Sequence, residues 1–204
     1  MQNNVDLNAL RQQIRRQRRQ LDVFQQQQSE LAIMQLVYRL PELQAAKRVG
    51  VYLDAFSEIR TRRLIDYLFR LGKQVYLPMI CHMNQHLVWT RISRQQWQNR
   101  RFYWHRLGMQ QAYRSRGTAM QHLDVVFMPL LLCDQQGNRV GMGGGFYDRS
   151  LSRCPQKPLR MGLAHDFQYL NTVLPRNPWD QALDGLITPQ QYSRFQRALA
   201  QCGC

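Results

Sequence analysis

Residues 49–78 read VGVYLDAFSEIRTRRLIDYLFRLGKQVYLP, and this stretch predicts the fold. Its start, residues 49–53, is rich in β-forming side chains and predicts a short strand. Residues 61–71 then show helical spacing that ends at a glycine, and residues 75–77 predict a second strand that stops at Pro78. A strand, a helix and a strand in this order form a parallel pair with a right-handed crossover. The stretch therefore predicts an α/β protein.

Further strands are predicted after this unit, at residues 86–90, 123–128, 159–164 and 186–187. Strands that alternate with helices over 204 residues predict a single domain, residues 1–204, built as a three-layer α/β/α sandwich around a mostly parallel, Rossmann-like sheet. Ligands of such folds bind at the carboxyl ends of the strands. Residues 91–122 are polar and aromatic with few turn signals, and we assign no function to them.

The chain predicts two helices before this unit. Apolar residues recur at helical spacing over residues 6–26, and a glutamine tract at residues 25–28 predicts the break before a second helix. Arg11, Arg15 and Arg18 share one face of the first helix. Cations on one face can converge on one phosphate chain, but from spacing alone a solvated basic face is the favoured interpretation.

The composition is strongly basic. The chain carries 28 Lys and Arg against 13 Asp and Glu, which gives a formal net charge of +15. Such a charge attracts polyanions, for example ATP or nucleic acid. No RNA-binding aromatic motif or zinc finger accompanies it. Nucleic acid is therefore not the expected partner, and an RNA-binding module that uses the basic surface is the alternative hypothesis to an enzyme.

Signals for a membrane or an oxidising compartment are not visible in the sequence. No apolar run approaches the roughly 18 residues of a membrane span, and the first residues are polar and rich in arginine. The cysteines are scattered without a CxxC pair, which is typical of reduced thiols rather than of disulfides or a zinc site. They are Cys81, Cys133, Cys154, Cys202 and Cys204. We expect a cytoplasmic monomer without a membrane partner.

The segment most indicative of a ligand site is GNRVGMGGGFYDR at residues 137–149, which holds five of the twelve glycines. A run without Cβ atoms lets backbone N–H groups approach an anion closely, which predicts a phosphate cradle. It is neither a Walker A loop nor a dinucleotide-binding motif, because no Gly-Lys-Ser/Thr follows and the G-x-G-x-x-G spacing is not met. A flexible hairpin is the alternative, but Phe146, Tyr147 and the charges at its exit do not fit one.

Residues 139–149, RVGMGGGFYDR, also carry a family resemblance. With Met128-Pro129 and Cys133-Asp134 before them, they resemble the signature of the 5-formyltetrahydrofolate cyclo-ligases, also called methenyltetrahydrofolate synthetases. Other segments follow in the family's order: LRQQIR at 10–15, VYL at 51–53, EIRT at 58–61, KQVYLP at 73–78, GLAHD at 162–166, and WD at 179–180 through ITP at 187–189. The resemblance covers nearly the whole chain.

The resemblance implies a reaction that depends on ATP and Mg²⁺. In it, 5-formyltetrahydrofolate closes to 5,10-methenyltetrahydrofolate through a phosphorylated N5-formyl intermediate, with release of ADP and phosphate. The basic surface would attract a polyglutamylated form of this folate as well as ATP. The catalytic residues carried over are Arg11, Arg15, Tyr147 and Asp148. The ATP-binding residues carried over are Arg11, Arg15, Arg139, Val140, Gly141, Met142, Gly143, Gly144, Gly145, Phe146 and Tyr147. Arg11 stands where many members carry Lys, so the charge is kept while the shape of the contact differs.

The folate and metal sites also follow from the resemblance. The substrate-binding residues carried over are Leu53, Glu58, Met142, Gly143, Gly144, Gly145 and Phe146. A carboxylate at Glu58 can accept paired N–H bonds from a pterin ring. Without the resemblance, an exposed glutamate at a helix N-terminus is the favoured interpretation of Glu58. Asp148 and Asp184 are the expected magnesium ligands.

Other polar residues near these motifs are expected to be structural. Asp134 precedes Gln-Gln-Gly-Asn, which is turn chemistry. His165 follows a strand, but the arylamine N10 of the folate can lose its proton to solvent, so we expect His165 behind the site rather than as a base. Cys133 stands where the family usually has Phe, which shortens a wall residue. The remaining histidines, His82, His86, His105 and His122, show no metal spacing.

A third hypothesis keeps the same scaffold and the phosphate cradle but changes the acceptor. In this case the protein would be a different ATP-dependent ligase or kinase, and a preference for a non-folate acceptor would reveal it.

Overall fold

One mixed sheet of seven strands organises the fold. The structure, a computed structural model, describes residues 6–81, 85–113 and 117–197. Its strands are β1 (Arg48–Gly50), β2 (Gln74–Ile80), β3 (Leu87–Ile92), β4 (Phe102–Trp104), β5 (Gln110–Ala112), β6 (Val125–Pro129), β7 (Leu132–Asp134), β8 (Arg139–Val140), β9 (Leu159–Leu163), β10 (Tyr169–Leu170), β11 (Gly185–Ile187) and β12 (Tyr192–Arg194). Its α-helices are α1 (Leu7–Gln20), α2 (Val23–Val37), α3 (Pro41–Ala45), α4 (Arg62–Arg70), α5 (Arg94–Gln98) and α6 (Phe146–Leu151).

The main sheet has the strand order β12-β11-β9-β6-β1-β2-β3. Its five inner strands pair in parallel, and the edge strands β3 and β12 pair antiparallel. β1, α4 and β2 form the predicted β-α-β unit, in which Val49 lies opposite Val75. The prediction of an α/β fold with a mostly parallel sheet is confirmed. The carboxyl ends of the five inner strands lie along one edge.

Helices and turns cover both faces of this sheet because successive residues of a strand point in opposite directions. In β6, Val125 and Phe127 pack with residues of α2, α3 and α4 in one core. Val126 and Met128 pack on the other face with Met120 from a 3₁₀ turn and Leu151 from α6. The sheet is therefore the middle of three layers.

The second strand does not stop at Pro78, as its sequence predicts, but continues to Ile80. Pro78 lies opposite Trp89 in the antiparallel β2–β3 pair, and the N–H and C=O of Trp89 bond to Thr118 on the far side of β3. Pro78 thus occupies a non-hydrogen-bonded position, so its nitrogen faces the side of β1. On that side Val51 N–H still donates to the oxygen of Tyr76, so the proline can remove only the next hydrogen bond, just beyond β1, while the β2–β3 pairing continues to Ile80.

The N-terminal helices divide earlier than the sequence predicts. α1 ends at Gln20 and α2 begins at Val23, so the glutamine tract lies inside α2. The break falls at Asp22 because its side chain accepts from the backbone N–H of Gln25, while the Gln25 side chain accepts from that of Asp22. This reciprocal capping box starts a helix, and the tract supplies one half of it.

Two small sheets complete the fold. The β4–β5 hairpin lies within residues 91–122, and β10, β7 and β8 form a three-stranded sheet. α1 packs against this second sheet in a third core, which contains Ile14, Leu131, Leu132, Val140 and Leu174. In the part of the chain that the structure describes, no helix is both long and apolar enough to span a membrane. The third core brings α1 next to the glycine-rich segment that follows β8.

Candidate active site

A cleft of about 720 Å³ lies at the carboxyl edge of the main sheet. Its apolar lining includes Leu53 after β1, Ile80 at the end of β2 and Leu130 after β6. The glycine loop, residues 141–145, and the start of α6 also line it, together with Arg11 from α1. The rule that ligands bind at the carboxyl ends of strands therefore predicts the position of this cleft.

Arginine side chains brace the glycine loop between β8 and α6. Arg15 donates from Nη2 to the carbonyl oxygen of Met142 at 3.1 Å, and Arg149 donates from Nη2 to that of Gly144 at 2.7 Å. Two of the loop glycines have φ values of +100° and +62°, in the left-handed region that favours glycine. The loop is thus a braced turn, unlike the flexible hairpin considered as the alternative.

An ion pair joins the two ends of this loop. Arg139 donates from Nη2 to Asp148 Oδ1 at 2.7 Å, and the backbone N–H of Gln181 donates to the same oxygen at 3.1 Å. The Arg139 guanidinium also lies 5.6 Å from the centre of the Tyr147 ring. Burial raises the pKa of Tyr147, so its phenol stays a hydrogen-bond donor. No donor within the described residues reaches Asp148 Oδ2, so this oxygen is available to a cation.

The three arginines on one face of α1 contact three different parts of the molecule. Arg11 lines the cleft, and its buried Nε has no hydrogen-bond partner among the described residues. Arg15 braces the glycine loop. Arg18 is fully buried and donates to the backbone carbonyls of Ala55 and Phe56. The expectation of a solvated face is therefore wrong for Arg18, and of the three side chains it is Arg11 that lines the cleft.

Glu58 lines the cleft at the end of a turn, residues 54–58, that follows β1. Its side chain is 10% exposed, and its Oε1 lies 3.7 Å from Arg18 Nη2. Its Oε2 accepts from the backbone N–H of Ala55 at 3.1 Å. Burial raises the pKa of Glu58 to about 7, and the nearby Arg18 charge opposes that shift. Glu58 is thus a buried carboxyl in the cleft, and its interpretation as an exposed helix-start glutamate is wrong.

Comparison with known proteins shows to which family the chain belongs. A model described as the 5-formyltetrahydrofolate cyclo-ligase family matches residues 3–189. The chain is a member of this cyclo-ligase family. The 5-formyltetrahydrofolate cyclo-ligase of Haemophilus influenzae is 35% identical over 183 residues, which cover 87% of this chain and 95% of that protein. The enzyme of the same name from Escherichia coli is 32% identical over 191 residues, which cover 87% and 97%.

Solved structures of two methenyltetrahydrofolate synthetases share the fold. The protein from Aquifex aeolicus has a TM-score of 0.78 at 24% identity, with 96% of each chain covered. The protein from Mycoplasma pneumoniae has a TM-score of 0.70 at 21% identity, with 91% of this chain and 99% of that chain covered. The comparisons do not support the RNA-binding alternative.

Asp184, the second metal ligand expected from the cyclo-ligase resemblance, does not line the cleft. Its Oδ2 accepts from the backbone N–H of Arg160 at 2.7 Å, and its Oδ1 pairs with Arg197. Among the residues that the structure describes, no group of three or more His, Cys, Asp or Glu side chains is placed to hold a metal. Of the two expected ligands, Asp148 is the one in the cleft.

Asp134 and Cys133 lie behind the cleft. Asp134 is buried in the β7–β8 turn, where it accepts at 2.9 Å from the backbone N–H groups of Gln136, Asn138 and Leu174. This is the turn chemistry that its sequence predicts. Cys133 is buried in β7, and burial raises the pKa of its thiol. Cys202, Cys204 and His82 lie outside the described residues.

His165 is buried behind the 54–58 turn and does not line the cleft. Its Nε2 lies 3.3 Å from the carbonyl oxygen of Ser57, and its Nδ1 lies 3.3 Å from Ser29 Oγ. A carbonyl oxygen can only accept, so Nε2 carries the proton and Nδ1 accepts from the serine hydroxyl. Burial lowers the pKa of His165 to about 4, so the ring is neutral at neutral pH. It supports the turn from behind.

Two parts of the cleft were not predicted as site residues. Leu107 and residues 109–111 reach the cleft from the β4–β5 hairpin. A rim is formed by Pro175, Asn177, Trp179 and Asp180, of which Trp179 is 65% exposed. The hairpin segment has no periodic pattern, so its approach to the cleft depends on tertiary packing. The Trp179-Asp180 pair did belong to the cyclo-ligase resemblance, and this motif was the available signal for the rim.

Proposed function

We propose that this protein is a 5-formyltetrahydrofolate cyclo-ligase that forms 5,10-methenyltetrahydrofolate and converts ATP to ADP and phosphate. The observation that carries the proposal is that Arg11 and the braced glycine loop share one cleft with Leu53 and Glu58. Phosphate-binding and pterin-binding groups must lie together because the γ-phosphoryl group has to reach the formyl oxygen. Membership of the cyclo-ligase family supports the same reaction.

The chemistry proceeds in two steps. The formyl oxygen is a poor leaving group, so it first forms a bond to the γ-phosphorus of ATP, while the bond from that phosphorus to the bridging oxygen breaks and ADP leaves. N10 then attacks the formyl carbon, its proton passes to solvent, and phosphate departs with the electron pair of the C–O bond. In such reactions the protein mainly positions the reactants and neutralises charge.

The cations of the cleft are suited to the phosphate half of this reaction. Arg11 carries a buried Nε without a partner among the described residues, and Arg139 is oriented by its pair with Asp148. Both guanidinium groups can donate charge-assisted hydrogen bonds to phosphate oxygens. Tyr147 adds a protonated phenol beside Arg139. Arg15 acts through the glycine loop, because its guanidinium is bound to the carbonyl of Met142.

Magnesium fits this site with Asp148 as its protein ligand. Mg²⁺ is usually bound by one or two carboxylates together with substrate phosphates, and Asp148 offers Oδ2 for this purpose. When bound, the ion would neutralise charge on the phosphates during transfer. Arg139 and the Gln181 N–H hold the other oxygen and so fix the carboxylate. Asp184 is left out of the proposal because both of its oxygens are engaged away from the cleft.

Glu58 is suited to the folate half. Each carboxylate oxygen has two lone-pair directions, so the bond from Ala55 N–H and the Arg18 contact leave acceptor capacity for a pterin. Leu53 supplies an apolar surface beside it. The two substrates can therefore bind to different groups of one cleft.

The test follows the absorbance of 5,10-methenyltetrahydrofolate in a mixture of the protein, 5-formyltetrahydrofolate, Mg²⁺ and ATP. We expect absorbance that grows only when ATP is present, with one ADP formed for each product molecule. Omission of ATP and omission of protein are the controls. ADP formation without the methenyl product, or faster turnover of a non-folate acceptor, would contradict the proposal and favour the other ATP-dependent ligase or kinase.

A further inference from the structure

Arg18 is a fully buried cation that the proposed reaction does not use. It lies in the segment RRQRR of α1 at residues 15–19, where its neighbours Arg16 and Arg19 are exposed. It is 0% exposed and does not line the cleft. A buried guanidinium loses its hydration, and burial accordingly lowers the pKa of Arg18. Such a side chain is stable only if polar partners replace the water.

Those partners are backbone carbonyls at the edge of the cleft. Arg18 donates from Nε to the oxygen of Phe56 at 3.0 Å and from Nη2 to that of Ala55 at 3.3 Å. Nη2 also donates to Phe56, and Nη1 lies 3.5 Å from the oxygen of Leu130 after β6. One planar guanidinium thus ties α1 to the turn after β1 and to the end of β6.

The turn needs this restraint because its backbone is strained. Phe56 and Ser57 have φ values of +51° and +55°, and each residue with a Cβ atom in this region costs on the order of 1 kcal/mol. Arg18 holds the carbonyls of Ala55 and Phe56, and His165 contacts that of Ser57 at 3.3 Å. Three successive carbonyls of the turn are therefore clamped from behind.

The same guanidinium acts on the carboxyl group at the end of the turn. Arg18 Nη2 lies 3.7 Å from Glu58 Oε1, while Glu58 Oε2 is fixed by the N–H of Ala55, inside the clamped turn. The position of Glu58 in the cleft therefore depends on Arg18 through both the charge and the backbone.

We propose that Arg18 is a positioning residue of the folate half of the cleft, which fixes the 54–58 turn and orients the Glu58 carboxylate toward the pterin. This inference rests on the proposed function, since that function assigns Glu58 to the folate. The phosphate half is braced by other arginines, Arg15 and Arg149. Loss of Arg18 is therefore expected to weaken folate binding and to leave ATP binding largely unchanged.

The test measures the binding of 5-formyltetrahydrofolate and of ATP separately, by calorimetry, to the full chain. Arg18→Met removes the charge, Arg18→Lys keeps the charge and removes the planar fork, and Arg19→Met is the matched control on the exposed face. We expect both Arg18 variants to weaken folate binding by about tenfold or more and to change ATP binding by less than about twofold. The control should change neither.

The pH dependence of folate binding separates positioning from a merely structural role. The groups that face Glu58 are Arg18 from α1, Asp54 in the same turn, Tyr52 after β1 and Tyr147 from α6. Because Arg18 is the cation among them, Arg18→Met should raise the pKa of Glu58 and move the midpoint of folate binding to higher pH, whereas Arg18→Lys should keep the midpoint. A structural defect would not distinguish the two variants in this way.

A double-mutant cycle with Glu58→Gln completes the test. If Arg18 acts through Glu58, Arg18→Met should add little to the loss of folate binding that Glu58→Gln causes alone. Full additivity, or an equal loss of ATP and folate binding, would overturn the positioning role. Arg18→Lys takes the place of Arg18→Met in the cycle if thermal melting shows that the Met variant does not fold. Wild-type protein that binds the folate without forming methenyl product would refute the reaction alone, whereas failure to bind it would refute both.

Discussion

Arg11 is the α1 arginine that lines the cleft, and its role can be separated from that of its neighbours. If Arg11 donates to ATP phosphates, Arg11→Ala should weaken ATP binding by about 1.5 to 3 kcal/mol, the loss expected for a hydrogen bond to a charged group. Arg11→Lys should be tolerated, because Lys keeps the point charge found in many family members. Titration of ATP into the variants measures both effects.

The control for Arg11 has to be an exposed arginine. The sequence suggests Arg18, about two turns further along the same face, but this residue is fully buried and bound to the 54–58 turn. Arg19→Ala is the correct control, because an exposed charge is screened at moderate salt. Equal, small losses for Arg11→Ala and Arg19→Ala would remove Arg11 from the nucleotide site and leave Arg139 and the glycine loop.

Asp148 and Asp184 give a matched pair for the metal. Asp148→Asn should retain the fold and lose most turnover, with a higher Mg²⁺ requirement, because the cleft would lose its anionic oxygen ligand. Asp184→Asn should instead lower thermal stability, since it weakens the contacts to Arg160 and Arg197. Turnover measured as a function of Mg²⁺ concentration compares the two variants. An equal rise in the requirement for both variants would mean that the metal site extends to Asp184.

Glu58 should make stability depend on pH. Its pKa is about 7 in the folded protein against an ordinary value of 4.5, so the folded state holds this proton more tightly than the unfolded chain does. This stabilisation is fully present below about pH 4.5 and is lost as the pH rises through 7, by about 3 kcal/mol in all. Urea unfolding at pH 5 and pH 8 measures this loss as a change in the stability difference between the wild type and Glu58→Gln, because His165, whose pKa burial lowers to about 4, shifts both proteins in the opposite direction. Parallel pH profiles would contradict it.

At the residue scale, sequence patterns identify the side chains of the candidate site but do not show how deeply each is buried. The helical face that carries Arg11, Arg15 and Arg18 follows from spacing, whereas the burial of Arg18 depends on a turn nearly 40 residues further along the chain. Glu58 was assigned to the site by the family motif alone, since a glutamate before a helix is typical of an exposed position. Burial is a property of tertiary packing, and local composition does not encode it.

At the element scale, the glycine loop allows backbone strain to be tested without steric clash. Gly143 has φ of +100°, and a Cβ atom there would meet nothing within 4 Å. Gly72 after α4 is the control, with φ of +69° and equally open space. Each change to Ala should lower stability by about 1 kcal/mol, because left-handed backbone disfavours Ala. Only Gly143→Ala should also raise the KM for ATP, and a similar rise for Gly72→Ala would show a general loss of stability.

The order of elements was predictable, and their ends were less so. The β-α-β unit at residues 49–78 was correct because its periodicity changes from strand to helix and back. The sequence predicts that β2 ends at Pro78, whereas the structure continues it to Ile80, because the effect of a proline depends on which neighbouring strand its nitrogen faces. The sequence predicts the break after α1 at the glutamine tract, whereas the Asp22 capping box starts α2 before the tract. The first difference depends on strands that lie elsewhere in the chain. The second depends on the chemistry of a helix cap.

At the scale of the whole molecule, the charge of +15 was a weak guide to function. Some of this charge lies inside the protein and not on its surface. Buried arginines bound to carbonyl or carboxylate groups are Arg18, Arg139 and Arg160. The sheet between two cores follows from alternating strands and helices, which sequence patterns capture well. The third core was not predicted, because it joins α1 to strands from the middle of the chain.

The docking of α1 has a consequence for the time course of synthesis. Ile14 packs against Leu131, Leu132, Val140 and Leu174, all of which leave the ribosome much later. At about 5 to 20 residues per second, roughly ten to thirty seconds separate the emergence of Ile14 from that of Leu174. During that interval the nascent chain carries an amphipathic, strongly basic helix without its docking surface, and Arg15 reaches the carbonyl of Met142 only late in translation.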